Sequence, residues 1–216
     1  MIADLLPATA VAVEVFGPPP PGTALLPEEE PLVARAVDRR REEFTTARSC
    51  ARQALAALGV PAAPLLAGPR REPLWPAGVV GSLTHCDGYR AAAVARSVDL
   101  ATIGIDAEPH RPLPDGVLAR VALAQERDAV RRLPGGVHWD RLLFSAKESV
   151  YKAWYPLARR RLGFSDAVVE LDPAGSFRAR LLVPGSALPG RELTGFTGRW
   201  VASGGLLLTA VTLPAG

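Results

Sequence analysis

Cysteine and histidine are scarce in this sequence of 216 residues, which contains two of the first and three of the second. Cys50 and Cys86 are too few for the disulfide framework that stabilises many small secreted domains. The spacing of these residues shows no paired ligand group, which argues against a structural zinc site. We therefore expect the fold to depend on an ordinary hydrophobic core.

Long apolar runs are missing as well. No segment reaches the ~18 consecutive apolar residues that a membrane helix requires. Residues 1–16 lack the basic start of a secretory signal, and Asp4 and Glu14 lie within them. We expect a cytoplasmic protein with no membrane partner.

The composition that remains is typical of a globular protein, with 48% hydrophobic and 22% charged residues and a net charge of only +3. At this length, folding buries about 70% of the surface that the unfolded chain exposes, so the core needs no additional cross-link. Nearly all of the basic residues are arginines, and the only lysines are Lys147 and Lys152.

Hydrophobic periodicity and turn residues predict helices and strands along the whole chain. A strand over 8–16 is followed by a long helix over 31–58, and an Asp-Gly pair predicts a hairpin turn between strands over 79–85 and 89–96. The other predicted elements are a strand over 101–108, helices over 115–133 and 138–160, and strands over 167–172, 176–183, 193–202 and 205–213. Each half of the chain has a long helix and antiparallel strands, so we predict an α+β fold (α/β by some schemes) whose halves meet along the middle strands.

Two acidic residues mark the end of a predicted strand. Asp106 and Glu108 alternate along it with Ala107 between them, and residues i and i+2 of a strand point to one face. The two carboxylates are then ~7 Å apart and suit Mg²⁺, which prefers oxygen ligands and keeps open positions for phosphate. A solvated strand end is the alternative interpretation of an isolated Asp-x-Glu.

The helix over 138–160 carries a second pair of charged residues. It is apolar on two faces, which indicates burial on both, and Glu148 and Lys152 lie among the aromatic residues of the second face. We expect them to form an i,i+4 pair within a cleft. The alternative is an ordinary helix salt bridge, which stabilises by only a few tenths of a kcal/mol.

Thr84 and His85 end the strand that precedes the hairpin turn. A lone histidine is more often a structural hydrogen-bonding residue than a ligand, so this pair gains weight only beside the other motifs. The neighbouring Cys86 could suggest a thiol nucleophile, but no oriented base is evident, and a buried inert cysteine is favoured.

Arginines lie within the apolar stripe of the first predicted helix. Arg40 and Arg48 share the face of Phe44, and a buried guanidinium must be paired or must contact a ligand. A phosphate-bearing ligand would satisfy them, because the guanidinium fork matches phosphate oxygens. An ion pair with a glutamate is the structural alternative. A nucleic-acid surface is disfavoured, because acidic residues alternate with these arginines and no surface aromatics are interleaved.

Three segments, in this order, resemble the sequential motifs of the Sfp-type 4′-phosphopantetheinyl transferases, and most closely those of the actinobacterial and enterobactin synthetase component D-like enzymes. They are GSLTHCDGYRAAAVA (81–95), IGIDAEPH (103–110) and FSAKESVYKAWYP (144–156). The resemblance implies two similar halves related by a pseudo-twofold axis, here 1–103 and 104–216, with the site at their junction. It also implies transfer of the 4′-phosphopantetheine group from coenzyme A to a serine of an acyl or peptidyl carrier protein. Adenosine 3′,5′-bisphosphate is released, and Mg²⁺ is the expected cofactor.

The resemblance also implies roles for individual residues. The expected Mg²⁺ ligands are Asp106, Glu108 and Glu148. The expected catalytic residues are Glu148, Lys152 and His85, with Glu148 as base, ligand or both. The residues expected to contact coenzyme A are Arg40, Arg48, Arg70, Arg71, Thr84, His85 and Lys152. Ala107 stands where some relatives have an acidic residue, so a water or a backbone group is expected to complete the metal shell.

Two other functions fit parts of the pattern. A Mg²⁺-dependent phosphodiesterase or nuclease would also use clustered carboxylates, but usually more of them and across two metals. A non-catalytic protein that binds coenzyme A or a nucleotide would tolerate the loss of Glu148 or Lys152, and both are present. We expect a monomer that docks acidic carrier proteins, with Arg159, Arg160 and Arg161 at the rim of the docking surface. The alternative for these arginines is a solvated helix end.

Overall fold

The computed structural model describes residues 1–185, 187–188 and 191–216. Its helices are α1 (Asp38–Ala57), α2 (Val117–Val121), α3 (Ala124–Val130) and α4 (Trp139–Ala158), with 3₁₀ helices at Ile2–Leu5 and Glu30–Val33. Its strands are β1 (Ala10–Phe16), β2 (Val79–Cys86), β3 (Tyr89–Arg96), β4 (Leu100–Pro109), β5 (Ala167–Asp172), β6 (Ser176–Leu181), β7 (Ala187–Leu188), β8 (Arg191–Glu192), β9 (Gly195–Ser203) and β10 (Leu206–Pro214). The predicted α+β class is confirmed.

The strands form two main antiparallel sheets. The first has the order β1-β3-β2, with α1 packed on β1 and β3. The second has the order β4-β10-β9-β6-β5, with α4 packed on β4 and β10. A short β7-β8 pair forms a third, separate sheet. Each main sheet therefore has its own long helix, as the sequence predicts.

The β2–β3 hairpin turns at the predicted Asp-Gly pair. Gly88 has a φ of +72°, a left-handed conformation that glycine adopts without a steric cost. The register pairs Cys86 with Tyr89 and His85 with Arg90 across the turn. His85 is thereby fixed near the end of a sheet rather than on a free loop.

Helix α1 begins later than predicted. The sequence suggested a start at Pro31, but that residue lies in a separate 3₁₀ helix, and α1 starts at Asp38. The fully buried Glu29 holds the segment before α1 in place. Its carboxylate accepts hydrogen bonds from the backbone N–H groups of Leu26 and Leu65. Such long-range contacts break a helix that local periodicity would continue.

The two main sheets meet where β2 runs beside β4. No strand ladder joins them within the described ranges, and two side-chain hydroxyls bridge the gap instead. Ser82 Oγ accepts a hydrogen bond from the Ile105 N–H at 3.1 Å, and Thr84 Oγ1 accepts one from the Ala107 N–H at 3.0 Å. The chain passes from one sheet to the other between β3 and β4, and β4 pairs with β10 along its length. The division into halves at 103 and 104 stays a prediction.

Alanines of β3 and branched residues of β4 and β10 fill the core between the sheets. A second core lies between α4 and the five-stranded sheet and includes Trp139, Trp154 and Trp200. Among the residues that the structure describes, no helix is both long enough and apolar enough to cross a membrane.

Candidate active site

Asp106 lies in β4 at the junction of the sheets and faces α4. It is 6% exposed, and its Oδ1 accepts a hydrogen bond from Lys152 Nζ at 2.8 Å. Lys152 Nζ also donates to the Ile105 carbonyl oxygen at 2.9 Å. Asp106 Oδ2 is buried and has no hydrogen-bond partner among the described residues. A buried carboxylate oxygen without a partner is costly, and it is an open ligand position for a cation.

The predicted pair between Glu148 and Lys152 is wrong. Lys152 is taken by Asp106, because α4 packs directly on β4 and brings Asp106 closer to the ammonium group. Glu148 makes no hydrogen bond or ion pair with any residue that the structure describes, although it is partly buried. Burial, followed by the negative charge of Asp106, raises the pKa of Glu148.

Glu108 lies two residues along the same strand. Its Oε2 accepts a hydrogen bond from Arg141 Nη1 at 2.7 Å. Burial and the charge of Asp106 raise the pKa of Glu108, and the ion pair with Arg141 opposes that effect. Asp106, Glu108 and Glu148 thus act on one another electrostatically across the space between β4 and α4.

These three carboxylates fit a divalent cation by their chemistry. Within 1–185, 187–188 and 191–216, no three aspartate, glutamate, histidine or cysteine side chains are grouped as a ready-made metal cluster. Two observations nevertheless favour a cation here: the unpartnered Oδ2 of Asp106, and the pKa values of Glu108 and Glu148, which burial and then the negative charge of Asp106 raise. Carboxylate oxygens with open positions are the ligands that Mg²⁺ takes in proteins.

His85 and Arg40 form a second group across the cleft. Arg40 Nη1 lies 2.6 Å from His85 Nε2, and Glu43 Oε2 lies 3.7 Å from Arg40 Nη1 and 3.4 Å from His85 Nε2. Burial, followed by the charge of Arg40, lowers the pKa of His85 to about 4. The ring is therefore neutral near pH 7 and accepts the hydrogen bond of Arg40.

Arg48 is the buried arginine of α1, with 5% of its surface exposed. Its guanidinium carbon lies 3.2 Å from the centre of the Phe44 ring, and its Nε donates to the Leu65 carbonyl oxygen at 3.1 Å. Burial lowers the pKa of Arg48 to about 10, so it stays charged at neutral pH. Its terminal nitrogens have no described protein partner, and the residue lines the cleft.

Thr84 lies at the junction of the two sheets, and its predicted contact with a phosphate stays a prediction. It is 2% exposed and is absent from the lining of the cleft. Its Oγ1 accepts from the Ala107 N–H and lies 3.4 Å from Asp106 Oδ1. Thr84 thus points toward β4 at the sheet junction and contacts the residue that is expected to hold the cation.

The basic loop over 67–73 lies at the rim of the cleft. A β-bridge joins Ala67 and Pro73, and the Gly68 N–H donates to the Glu72 carbonyl oxygen at 2.8 Å. Arg70 and Arg71 are exposed and line the cleft from this loop. The loop also contacts the end of α4, where Glu72 Oε1 lies 3.5 Å from Arg159 Nη1.

The cleft between α1, the basic loop and α4 has a volume of about 870 Å³. Its charged lining residues are mostly basic: Arg35, Arg40, Arg48, Arg70, Arg71 and Lys152 against Glu43, Glu72 and Glu148. A smaller pocket of about 230 Å³, lined by apolar side chains such as Leu162 and Phe164 and by charged ones such as Lys147 and Arg161, shares Glu148 and Tyr151 with the cleft. The arrangement suits a ligand with several phosphates and an uncharged extension.

The arginines after α4 differ from one another in the structure. Arg160 donates to the carbonyl oxygens of Pro184 and Gly185 and lies over the Trp154 ring at 5.2 Å. Arg159 pairs with Glu72, and Arg161 borders the smaller pocket. All three arginines are exposed, and their place at the rim of a docking surface stays a prediction.

Sequence reasoning missed Arg141 and Glu43. Arg141 lies on the same face of α4 as Glu148, about 20° from it around the helix, and this spacing was the available signal. Glu43 lies one turn after Arg40 in α1 and holds both Arg39 and Arg40. No local pattern could show that it also approaches His85.

Comparisons with known proteins identify related chains. A family model of the 4′-phosphopantetheinyl transferase N-terminal domain matches residues 28–95, and one of the 4′-phosphopantetheinyl transferase superfamily matches residues 102–202. The chain is 57% identical over 221 residues to the 4′-phosphopantetheinyl transferase Svp of Streptomyces mobaraensis, an alignment that covers 100% of this chain and 90% of that protein. It is 51% identical over 222 residues to the 4′-phosphopantetheinyl transferase PptT of Mycobacterium tuberculosis, with 99% and 98% covered. It is also 34% identical over 120 residues to enterobactin synthase component D of Salmonella typhi, with 54% and 49% covered.

Proposed function

This chain belongs to the 4′-phosphopantetheinyl transferase superfamily, and from that premise we propose how its own residues carry out the transfer. It is an enzyme that moves the phosphopantetheine group of coenzyme A onto carrier proteins. The observation that carries the site assignment is the unpartnered Oδ2 of Asp106, which lies beside Lys152 at the junction of the two sheets.

Coenzyme A binds in the large cleft. Arg40, Arg48, Arg70 and Arg71 contact its phosphates, since they are basic residues of the lining and the ligand carries several negative charges. His85 is held by Arg40 through Nε2 and donates from its other ring nitrogen to the same phosphates. The uncharged pantetheine arm passes Tyr151 into the smaller pocket, beside the apolar side chains of Val150, Leu162 and Phe164.

Asp106, Glu108 and Glu148 would hold Mg²⁺, which when bound would offset negative charge on the pyrophosphate and on the leaving bisphosphate. Lys152 stays on Asp106 Oδ1 and leaves Oδ2 for the cation. Its ammonium group also contributes positive charge at the wall of the cleft.

The transfer breaks one phosphorus–oxygen bond and forms another. The serine hydroxyl of the carrier attacks the phosphorus that bears the pantetheine group, and adenosine 3′,5′-bisphosphate leaves with the electron pair of the broken bond. Glu148 accepts the hydroxyl proton, because it is the carboxylate of the cleft that forms no hydrogen bond or ion pair with a described residue.

The carriers are acyl or peptidyl carrier protein domains. We propose that the enzyme acts on them as a cytoplasmic monomer and that neither nucleic acid nor membrane is a partner. The mild net charge of +3 and the presence of only two cysteines support this proposal.

The test is the mass of an apo carrier protein after incubation with the enzyme, coenzyme A and Mg²⁺. We expect a gain of one phosphopantetheine group, which EDTA prevents and added Mg²⁺ restores. Asp106→Asn keeps the shape of the side chain and should abolish the gain, whereas Arg120→Gln, at an exposed arginine with no described partner, should not. Normal transfer by the Asp106 variant, or in EDTA, would contradict the proposed metal site.

The same assay distinguishes the transferase reaction from the phosphodiesterase reaction. A phosphodiesterase would release adenosine 3′,5′-bisphosphate from coenzyme A in the absence of any carrier. We expect release only when a carrier with an intact serine is present.

A further inference from the structure

Arg141 of α4 extends toward β4, and each of its three guanidinium nitrogens donates a hydrogen bond. Nη1 donates to Glu108 Oε2 at 2.7 Å, Nε donates to the Arg111 carbonyl oxygen at 3.2 Å, and Nη2 donates to the Pro112 carbonyl oxygen at 2.8 Å. The side chain is 11% exposed. A guanidinium with three fixed partners cannot rotate without breaking several hydrogen bonds.

Arg141 and Lys152 flank Glu148 on one face of α4. Around the helix, Arg141 lies about 20° and Lys152 about 40° from Glu148 on the same side, and along the helix axis Glu148 lies between them, about two turns after Arg141 and one turn before Lys152. Lys152 binds Asp106 and Arg141 binds Glu108, and these two carboxylates share one face of β4. Glu148 therefore lies between two cationic residues, each of which holds one carboxylate of the strand.

The oxygens of the two held carboxylates are used in the same way. Each carboxylate gives one oxygen to its cation on α4, Oδ1 in Asp106 and Oε2 in Glu108. Oδ2 of Asp106 is buried without a hydrogen-bond partner, and Oε1 of the partly exposed Glu108 accepts no hydrogen bond from the residues that the structure describes. Two oriented carboxylates with one oxygen free each are prepared for a shared ligand.

We propose that Arg141 is a positioning residue that fixes Glu108 so that its Oε1 serves the divalent cation of this site. The inference rests on the proposed function, because it assumes that a cation binds there. Groups that orient metal ligands in this way typically alter metal affinity by about 10- to 100-fold when they are replaced. Arg141 does not touch the substrate and acts only through Glu108.

A purely structural role is the competing explanation, since Arg141 also binds two carbonyl oxygens of the segment after β4. A structural role predicts lower stability with unchanged metal affinity in the variants that still fold. The positioning role predicts a change in metal affinity that is greater than any change in coenzyme A affinity.

The experiment measures Mn²⁺ binding by electron paramagnetic resonance, with Mg²⁺ as competitor, on the full chain and without a carrier protein. We expect Arg141→Gln to weaken Mn²⁺ binding about 10- to 100-fold. Arg141→Lys, which keeps the charge and can still reach one partner, should recover part of the affinity. Arg120→Gln is the matched control and should bind as the native enzyme does. Thermal unfolding followed by circular dichroism shows which variants are folded, and only those are compared.

A double-mutant cycle with Glu108→Gln tests whether Arg141 acts through Glu108. If it does, Arg141→Gln has little further effect on Mn²⁺ affinity once Glu108 is neutral. Unchanged or tighter Mn²⁺ binding by folded Arg141→Gln, or fully additive effects in the cycle, would overturn the inference. Failure of the native enzyme to bind Mn²⁺ or Mg²⁺ at all would instead overturn the proposed metal site on which it rests.

Discussion

Gly104 of β4 lies so close to the Ser149 carbonyl oxygen of α4 that a Cβ at position 104 would be 1.9 Å from that oxygen. The same Cβ would be 2.7 Å from the backbone nitrogen of Ala153. Both neighbours are helix backbone and cannot move aside on their own. This approach sets the distance between α4 and β4, and that distance allows Lys152 to reach Asp106.

We expect Gly104→Ala to destabilise the protein and to separate α4 from β4. A substitution that overpacks a tight core typically lowers the free energy of unfolding by about 1–3 kcal/mol. Because the neighbours here are rigid backbone atoms, we expect Gly104→Ala to lie at or above the upper end of that range. Gly135→Ala is the matched control, because nothing lies within 4 Å of its added methyl group and its φ is not positive. Urea unfolding of the two variants measures the difference. Equal stability would show that α4 can shift without cost.

Local patterns predicted the elements that depend on neighbouring residues. The β2–β3 hairpin has its predicted position, because an Asp-Gly turn and the alternation beside it act over a few residues. The start of α1 was missed, because the buried Glu29 holds the preceding segment through contacts with Leu65 and Arg52, which are distant in sequence.

In the candidate site too, the features that depend on local sequence could be predicted, and those that depend on packing between elements could not. Residue type and strand spacing were sufficient to indicate Asp106 and Glu108, since both signals are local. The partner of Lys152 could not be predicted, because the choice between Glu148 and Asp106 depends on how closely α4 approaches β4 at Gly104. Side-chain pairing across elements follows from packing distances that a single sequence does not contain.

Substitutions at two arginines of α1 should have different effects, one on coenzyme A binding and the other on the stability of the protein. Arg48 lines the cleft, whereas Arg52 forms a buried ion pair with Glu29 at 2.8 Å. We expect Arg48→Ala to raise the KM for coenzyme A about 10- to 100-fold, since a hydrogen bond to a charged group contributes about 1.5–3 kcal/mol. Arg52→Ala should leave that KM nearly unchanged.

The Arg52 variant should instead lose about 3–5 kcal/mol of stability, because it leaves the fully buried Glu29 carboxylate without its cation. Steady-state kinetics and urea unfolding on both variants check the two expectations. If Arg48→Ala keeps the native KM for coenzyme A, Arg48 belongs to the structural pairs of α1 and the nucleotide binds elsewhere.

The pKa of His85 should report the binding of coenzyme A. Burial and Arg40 lower this pKa to about 4 in the free protein, below the ordinary value of 6.5. The fold thus favours the neutral ring, so any stability that depends on it is lost as the pH falls from about 6.5 to about 4. The phosphates of bound coenzyme A add negative charge near the His85 ring and should therefore raise the pKa of His85.

Proton NMR of the His85 ring, titrated with and without coenzyme A, measures both values. Arg40→Gln should raise the pKa of His85 in the free protein, because it removes the positive charge of the Arg40 guanidinium from the ring. A free-protein pKa near 6.5 would contradict the described contact, and an unchanged value with coenzyme A would place the phosphates away from His85.

Thr84 should affect turnover rather than coenzyme A binding. Its Oγ1 accepts from the Ala107 N–H at 3.0 Å and lies 3.4 Å from Asp106 Oδ1, and it is absent from the lining of the cleft. Thr84→Val keeps the shape but removes both hydrogen bonds, which leaves a buried N–H unpaired at a cost of about 1–3 kcal/mol. We expect a lower kcat and a greater Mg²⁺ requirement, with the KM for coenzyme A unchanged.

Thr84→Ser retains the hydroxyl and is the matched control for this prediction. It should keep most of the native kcat, because Oγ can still bind the Ala107 N–H and approach Asp106. Thr84→Val replaces the hydroxyl by a methyl group, whereas Thr84→Ser keeps the hydroxyl and removes only the methyl group. A raised KM for coenzyme A in Thr84→Val, with kcat preserved, would show that the hydroxyl meets a phosphate after all and that the orientation of Asp106 does not depend on it.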